Sequence, residues 1–266
     1  MDTLQTRRNE ASSRFEQEVQ AFDPWFHNLH LPEGQTAPDH PLGDFPRFKW
    51  EQIVGHLPES LDGWSVLDVG CNAGFYSFEL ARRGAQVRAV DIDDRYLKQG
   101  RWAAEKLGLD VSFERKTVYE LCVEPECYDL VWFMGVFYHL RYPTLALDLL
   151  AAKTKKRLVF QSLTRPALEQ EVDLPDNLGY EERSDLCSPT WPSMSFIEKR
   201  FAGDPTNWWA PSPRALEGLL RTTGMDILSR PDEESFICEP TKGSNQTEEQ
   251  ALAAQERAAA LNAFRG

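Results

Sequence analysis

The stretch WSVLDVGCNAGFYSFELARRG, from Trp64 to Gly84, leaves little freedom in what this chain can build. Ser65 to Val69 is short, β-branched and apolar, which suits a strand buried on both faces. Gly70 to Gly74 is a turn with two glycines, and Phe75 to Arg83 reads as a helix. Gly84 stands just beyond it, where a left-handed residue closes a helix. A strand that turns through glycines into a helix suits a nucleotide. Without a Cβ the backbone can come close to a ligand, and the first helical turn offers unpaired N–H groups.

Spacing decides which nucleotide. A dinucleotide fingerprint begun at Gly70 needs glycine at positions that hold Asn72 and Phe75, and no Gly-Lys-Ser/Thr follows, so neither phosphate-binding loop fits. What remains is Asp68-x-Gly70-x-x-x-Gly74, then a second strand, Ala85 to Asp91, that ends in a carboxylate. An acid at that tip can accept both hydroxyls of a ribose. These residues resemble the class I S-adenosyl-L-methionine (SAM) methyltransferases. The resemblance implies an α/β chain with a Rossmann-like, seven-stranded, mostly parallel sheet, helices on both faces and an antiparallel C-terminal strand pair. It also implies a SAM-binding set of Asp68, Gly70, Cys71, Asn72, Gly74, Asp91, Ile92, Thr117, Val118, Phe133 and Met134. In that set Asp68 and Gly70 face the methionine end and Asp91 takes the ribose. Thr117 and Val118 flank adenine, and Phe133 and Met134 line the sulfur side.

Around this centre the pattern continues. Leu4 to Phe22 has amphipathic helical spacing and Pro24 stops it. Trp25 to Thr36 is aromatic with a loop ending, and the second half of Asp44 to Leu57 is a short helix. Asp93 or Asp94 can cap a helix from Arg95 to Leu107, which Gly108 ends. Strands follow at Val111–Arg115, Asp129–Phe133 and Lys156–Gln161, with a helix from Pro143 to Ala152. Arg165 to Ala210 is a long, Trp-containing excursion, a lid or acceptor-binding segment or else a packing layer over the sheet. A helix spans Pro213 to Thr223, and Met225–Arg230 pairs with Ser235–Glu239. Glu248 to Phe264 is helical by propensity. The expected organisation is an N-terminal cap over 1–60, a methyltransferase domain over 61–240 with an insertion at 165–210, and a helical tail over 241–266.

The second informative stretch is CYDLVWFMGVFYHLRYP, Cys127 to Pro143. The chain turns at Met134-Gly135 beyond a buried strand, and ligands collect outside the carboxyl ends of such strands. Met-Gly-Val-x-Tyr138-His139, with Phe-Lys49-Trp50 upstream and Asn-Trp-Trp209-Ala-Pro downstream, resembles the tRNA wobble-uridine carboxymethyltransferases, which use carboxy-SAM. In that family the tyrosine of this motif helps hold the extra carboxylate, which maps to Tyr138. The family's other carboxylate readers are a lysine in a Lys-Gly-Pro segment and an arginine near the last strands. Here the first segment reads Gly34-Gln35-Thr36-Ala37-Pro38, and the second is the acidic Asp232 to Pro240. A buried carboxylate without a cation is costly, so ordinary SAM is the expected donor. Methyl transfer is an in-line displacement whose main demand is alignment. For a hydroxyl acceptor His139 is the candidate base and Tyr138 its companion. Lys49, Trp50, Tyr138 and Trp209 are the candidate acceptor-binding residues.

Composition bounds the partners. With 29 Lys and Arg against 42 Asp and Glu, the chain carries a net charge of -13. That disfavours non-specific nucleic-acid and anionic-membrane binding, although tRNA stays open as a partner. No run is long enough to span a bilayer, the charged start has no apolar signal core, and a cytoplasmic place is expected. Five scattered cysteines make no Cys-x-x-Cys pair and read as free thiols. His27, His30, His40 and His56 lack metal-ligand spacing, and no metal is expected. Three readings stand: a SAM-dependent methyltransferase acting on a small molecule or glycan, a carboxy-SAM transferase acting on tRNA, and a non-catalytic SAM-binding protein.

Overall fold

A computed structural model of the chain describes residues 13–121, 123–166, 174–175, 177–242 and 248–265. Cα packing divides the chain into two compact units, Met1–Trp132 and Phe133–Gly266.

In the first unit, residues 13–21 form a helix, α1. The part of this helix expected over residues 4–12 lies outside the described residues. Then come β1 (His30–Leu31), β2 (Gly34–Gln35), α2 (Phe45–Ile53), β3 (Ser65–Val69), α3 (Phe75–Arg82), β4 (Gln86–Asp91), α4 (Asp94–Leu107), β5 (Val111–Arg115), α5 (Val118–Leu121) and β6 (Tyr128–Met134). Strands β3, β4 and β5 pair in parallel, with Ser65 opposite Gln86 and Val87 opposite Val111. Val66 and Leu67 of β3, Ala89 of β4, and Leu80 and Leu97 of the helices are fully buried, as a sheet covered by helices requires.

Local chemistry ends these elements. The Asp93 carboxylate accepts from the Arg95 N–H at the start of α4, and Gly108 closes that helix with φ 62°. Gly74 carries φ 90° and precedes α3. A Cβ on Gly74 would stand 2.9 Å from Phe113 Cζ, and one on Gly100 would stand 2.5 Å from Phe113 Cε1. One aromatic ring on β5 therefore needs a glycine both just before α3 and within α4.

The N-terminal segment packs by its aromatic residues. Phe15 stacks on Trp102, and Phe22 and Trp25 lie against the same ring. The Gln99 amide donates to the carbonyls of Phe22 and Pro24. The aromatic stretch Trp25 to Thr36, expected to end in a loop, holds a small hairpin, with His30 opposite Gln35. Its strands are two residues each, too short to show alternation in a sequence.

The second unit holds α6 (Pro143–Lys153), β7 (Thr154–Gln161), β8 (Met194–Phe196), β9 (Trp209–Pro211), α7 (Pro213–Thr222), β10 (Met225–Ser229), β11 (Ser235–Pro240) and α8 (Glu248–Arg265). Pro143 and Pro213 each sit in a first helical turn, and the Ser212 hydroxyl accepts from Ala215 N–H to cap α7. β11 runs antiparallel to both β7 and β10. β8 and β9 pair antiparallel across the long excursion, with Phe196 opposite Trp209. Arg257 of α8 makes an ion pair with Asp148 of α6, and Gln250 donates to the Arg221 carbonyl of α7. Phe133, Phe137, Phe160 and Phe236 are fully buried.

Seven strands form one mostly parallel sheet in the order β10-β11-β7-β6-β3-β4-β5, with β10 and β11 as its antiparallel pair. This is the Rossmann-like architecture that the glycine turn implies. Residues 167–173 and 176 of the excursion, and 243–247 before the tail, lie outside the described residues.

Candidate active site

The turn after β3 is built from backbone. Gly70, Asn72 and Gly74 have φ of 72°, 52° and 90°. Gly70 and Cys71 both donate to the Val90 carbonyl, which ties the turn to the end of β4. The Asp91 carboxylate completes the tie, accepting from Asn72 N at 2.9 Å on one oxygen and from Asp93 N at 2.9 Å on the other. The Ile92 N–H also bonds this carboxylate, which with about four acceptor sites has capacity left for a further donor. Burial raises the Asp91 pKa, against the pull of these N–H groups. Ile92, the next residue, is an apolar side chain 62% exposed.

Asp68 is placed differently. Its carboxyl is 1% exposed and accepts from the Ser77 hydroxyl at 2.5 Å, which pins α3 to β3. Burial pushes its pKa up to about 7, with the nearby Asp91 charge adding to the rise. Ser77 went unremarked in the sequence, yet a small polar residue inside Phe-Tyr-Ser-Phe was a readable sign of a buried partner. Cys71 is buried and its thiol is pushed well above the ordinary range by burial, so it stays protonated. Thr117 caps α5. Its N–H and hydroxyl both donate to Glu120, and Glu120 N donates back to the Thr117 oxygen. Val118 beside it is buried.

Trp50 is also in the first unit. Its ring packs 5.7 Å from Trp132 and beneath the Arg83 guanidinium. It lines a cleft of about 440 Å³ together with Leu29, Arg47, Val54, Phe75 and Phe78. Lys49, its neighbour on α2, is half-buried. His27 is buried among Phe45, Phe75 and Tyr76, and burial pulls its pKa down to about 3, so it is neutral.

The turn after β6 belongs to the second unit and is built from side chains. Gly135 has φ 71°, and its N–H donates to Gln161 Oε1 at 2.9 Å. Gln161 Nε2 donates in turn to Glu234 at 3.0 Å. Tyr138 and His139 lie on the 3-10 turn Phe137–His139, with ring centroids 4.2 Å apart. Burial pushes the Tyr138 phenol up to about 12, helped by the Glu234 and Asp204 charges, so it is a neutral donor. Burial lowers the pKa of His139 against an opposing pull from Asp204. Its Nδ1 lies 2.9 Å from Thr206 Oγ1 and 3.9 Å from Asp204 Oδ2. Nothing local in the sequence links residues 139 and 206. Phe133 is fully buried against Phe160, and Met134 is buried too. Trp209 lies on β9 against Phe196, with its indole N–H buried and unpartnered.

Residues 66–156 match the family model described as a methyltransferase domain. The fold is that of a class I methyltransferase. The ubiquinone biosynthesis O-methyltransferase of Leptothrix cholodnii is 36% identical over 47% of this chain and 53% of its own length. The tRNA U34 carboxymethyltransferase of Pseudomonas putida is 30% identical over 66% of this chain and 49% of its own. The chain spans less than two thirds of the length of the relatives it matches. Among solved structures, the N-terminal domain of EvdMO1, crystallised with SAH and D-fucose, superposes with a TM-score of 0.55. It covers 85% of this chain and 94% of that one at 15% identity, a likeness of fold.

Within this methyltransferase fold, the first unit brings together Asp68, Gly70, Cys71, Asn72, Gly74, Asp91 and Ile92. The second brings together Tyr138 and His139 with Thr206 and Asp204, which sequence reasoning missed. Among the described residues, no group of three or more His, Cys, Asp or Glu side chains is placed to hold a metal ion. Nor is any helix there long and apolar enough to cross a membrane.

Proposed function

We propose that this chain transfers a methyl group from SAM to a hydroxyl of a small-molecule or glycan acceptor. The observation that carries the reading is the Asp91 carboxylate, which ends a parallel strand, holds the glycine turn by Asn72, and has acceptor capacity left beyond its backbone N–H partners. That is the arrangement a ribose diol needs. Gly70 would present its backbone to the methionine end, Ile92 would cover one face of adenine, and Thr117 and Val118 would flank it. Asp68, buried on Ser77, acts by holding the turn in shape. Bound SAM would supply a strongly electrophilic methyl group. His139, kept neutral, would accept the acceptor's proton, and the protonated Tyr138 would orient the acceptor by donating a hydrogen bond. Lys49, Trp50 and Trp209 remain the proposed acceptor contacts, and the cytoplasm the proposed location. The O-methyltransferase relatives support a hydroxyl acceptor.

A second reading, carboxymethyl transfer to a tRNA uridine, has the carboxymethyltransferase relative in its favour. Against it stand the net charge of -13 and the acids Glu234 and Asp204 around Tyr138, which disfavour another carboxylate. A third reading keeps SAM binding without catalysis.

Calorimetry with SAM and SAH, followed by SAH release in a panel of catechols, hydroquinones and sugars, separates the three. Heat with SAM and turnover of a panel member are expected. No heat would sink all three, and heat without turnover would favour the non-catalytic reading. A cofactor released from purified protein with the mass of carboxy-SAM would favour the second.

A further inference from the structure

His139 has a wired partner at Nδ1. Thr206 owns a single hydroxyl proton. Its hydroxyl lies 2.6 Å from Asp204 Oδ1, and its backbone N–H donates to the same oxygen at 2.6 Å. Burial opposes ionisation of Asp204, yet the side-chain and backbone hydrogen bonds from Thr206 outweigh it and hold the carboxyl below its usual range. Asp204 is therefore a carboxylate at neutral pH, and a carboxylate only accepts. The Thr206 proton is thus committed to Asp204, and its oxygen can meet His139 Nδ1 at 2.9 Å only as an acceptor. Neutral His139 must then carry its proton on Nδ1, which leaves the lone pair on Nε2. The Thr206 hydroxyl and the Asp204 carboxylate both meet the ring at Nδ1.

The segment that bears this pair is itself held. Phe201 and Asp204 exchange backbone hydrogen bonds across a tight turn in which Ala202 and Gly203 have φ of 52° and 81°. Asn207 donates to the Phe201 carbonyl, and Trp208 N–H donates to the Tyr138 carbonyl at 2.9 Å. The loop with Asp204 and the turn with His139 are thus tied backbone to backbone.

We propose that Thr206 and Asp204 are positioning residues that fix His139 as the Nδ1–H tautomer and leave Nε2 as the base for the acceptor hydroxyl. This rests on the methyl-transfer reading for its purpose, not for its geometry. In the proton transfer the acceptor's O–H bond breaks, an Nε2–H bond forms, and the imidazolium charge is balanced by Asp204. The oxygen electron pair freed in this way would attack the methyl carbon of SAM as its bond to sulfur breaks, the bonding pair staying on sulfur to release neutral SAH, and the proton would later leave Nε2 for water.

The test uses the full chain labelled with 15N-histidine, with Nδ1 and Nε2 of His139 assigned by comparison with His139→Gln. Wild type is expected to show a protonated Nδ1 and a bare Nε2. Thr206→Val, which keeps the shape and removes the acceptor, is expected to lose that signature, and Thr206→Ser to keep it. With the panel member that the wild type turns over, Thr206→Val and Asp204→Asn should lower kcat on the order of a hundredfold with KM nearly constant, and Thr206→Ser should recover most of it. A wild-type His139 protonated on Nε2 would overturn the proposal. So would a Thr206→Val protein with unchanged tautomer and kcat. If the wild type turns over no panel member, the methyl-transfer reading fails on its own, and the tautomer still decides whether this relay exists.

Discussion

The turns after β3 and β6 do comparable work by opposite means. The first holds its shape with backbone groups and one carboxylate, all within Asp68–Asp93. The second holds Tyr138 and His139 with side chains that arrive from Gln161, Asp204 and Thr206. A backbone cradle needs glycines at set spacing, and spacing is visible in one sequence. A side-chain cradle needs only that distant residues meet, which leaves no local pattern. On the proposed reading the donor meets the first turn and the acceptor the second, and such a division would let acceptor choice change through a loop while the nucleotide site stays the same.

The largest effect should come from Asp91→Ala. It removes its backbone ties and both proposed ribose acceptors, and charge-assisted hydrogen bonds contribute about 1.5–3 kcal/mol each. SAM affinity by calorimetry should fall roughly a hundredfold or more, and undiminished binding would break the backbone-cradle half of the comparison. Next is Gly74→Ala, where a positive φ and the Phe113 ring act together. Denaturant unfolding should show a loss of about 2–4 kcal/mol.

Asp68 gives a pH signature. Its folded pKa is raised to about 7, above an ordinary unfolded value near 3.8. Its stabilising contribution is therefore complete below about pH 4 and is lost as pH rises towards 7. The stability of wild type relative to Asp68→Asn should decline across that window by at most a few kcal/mol. A difference that is flat with pH would show that Asp68 is not the titrating group. The smallest effect belongs to the second region. Arg141 lies 5.1 Å and 5.2 Å from the Phe196 and Trp208 rings. Arg141→Ala should cost only about 0.5–1 kcal/mol by thermal unfolding, because the guanidinium is exposed.

The same contrast explains what the sequence could reveal. The strand at Ser65–Val69 was legible to the residue, and the ends of α3, β4 and α4 to within one, because glycines and an Asp cap punctuate them. The β10–β11 pair was legible because two short apolar runs flank a polar link. β7 starts at Thr154, directly after α6, rather than at Lys156, since no turn residue marks that junction. The β8–β9 pair was not legible, because Phe196 meets Trp209 across a loop whose residues show no alternation. In the site, Asp91 and the glycines declared themselves through spacing. Ser77, Asp204 and Thr206 did not, because an ordinary polar residue acquires its role only from the partner that folding delivers.

The ring of Phe113, lodged against Gly74 and Gly100, couples the side-chain sizes allowed at three sites. At Gly100, which lies in a helix with ordinary dihedrals, an added methyl group should become tolerable once Phe113 is trimmed to leucine. At Gly74 the same trimming should rescue only part of the loss, since the backbone there stays in a conformation alanine resists. Related chains should therefore show bulk traded between 100 and 113, while 74 stays closed to the exchange.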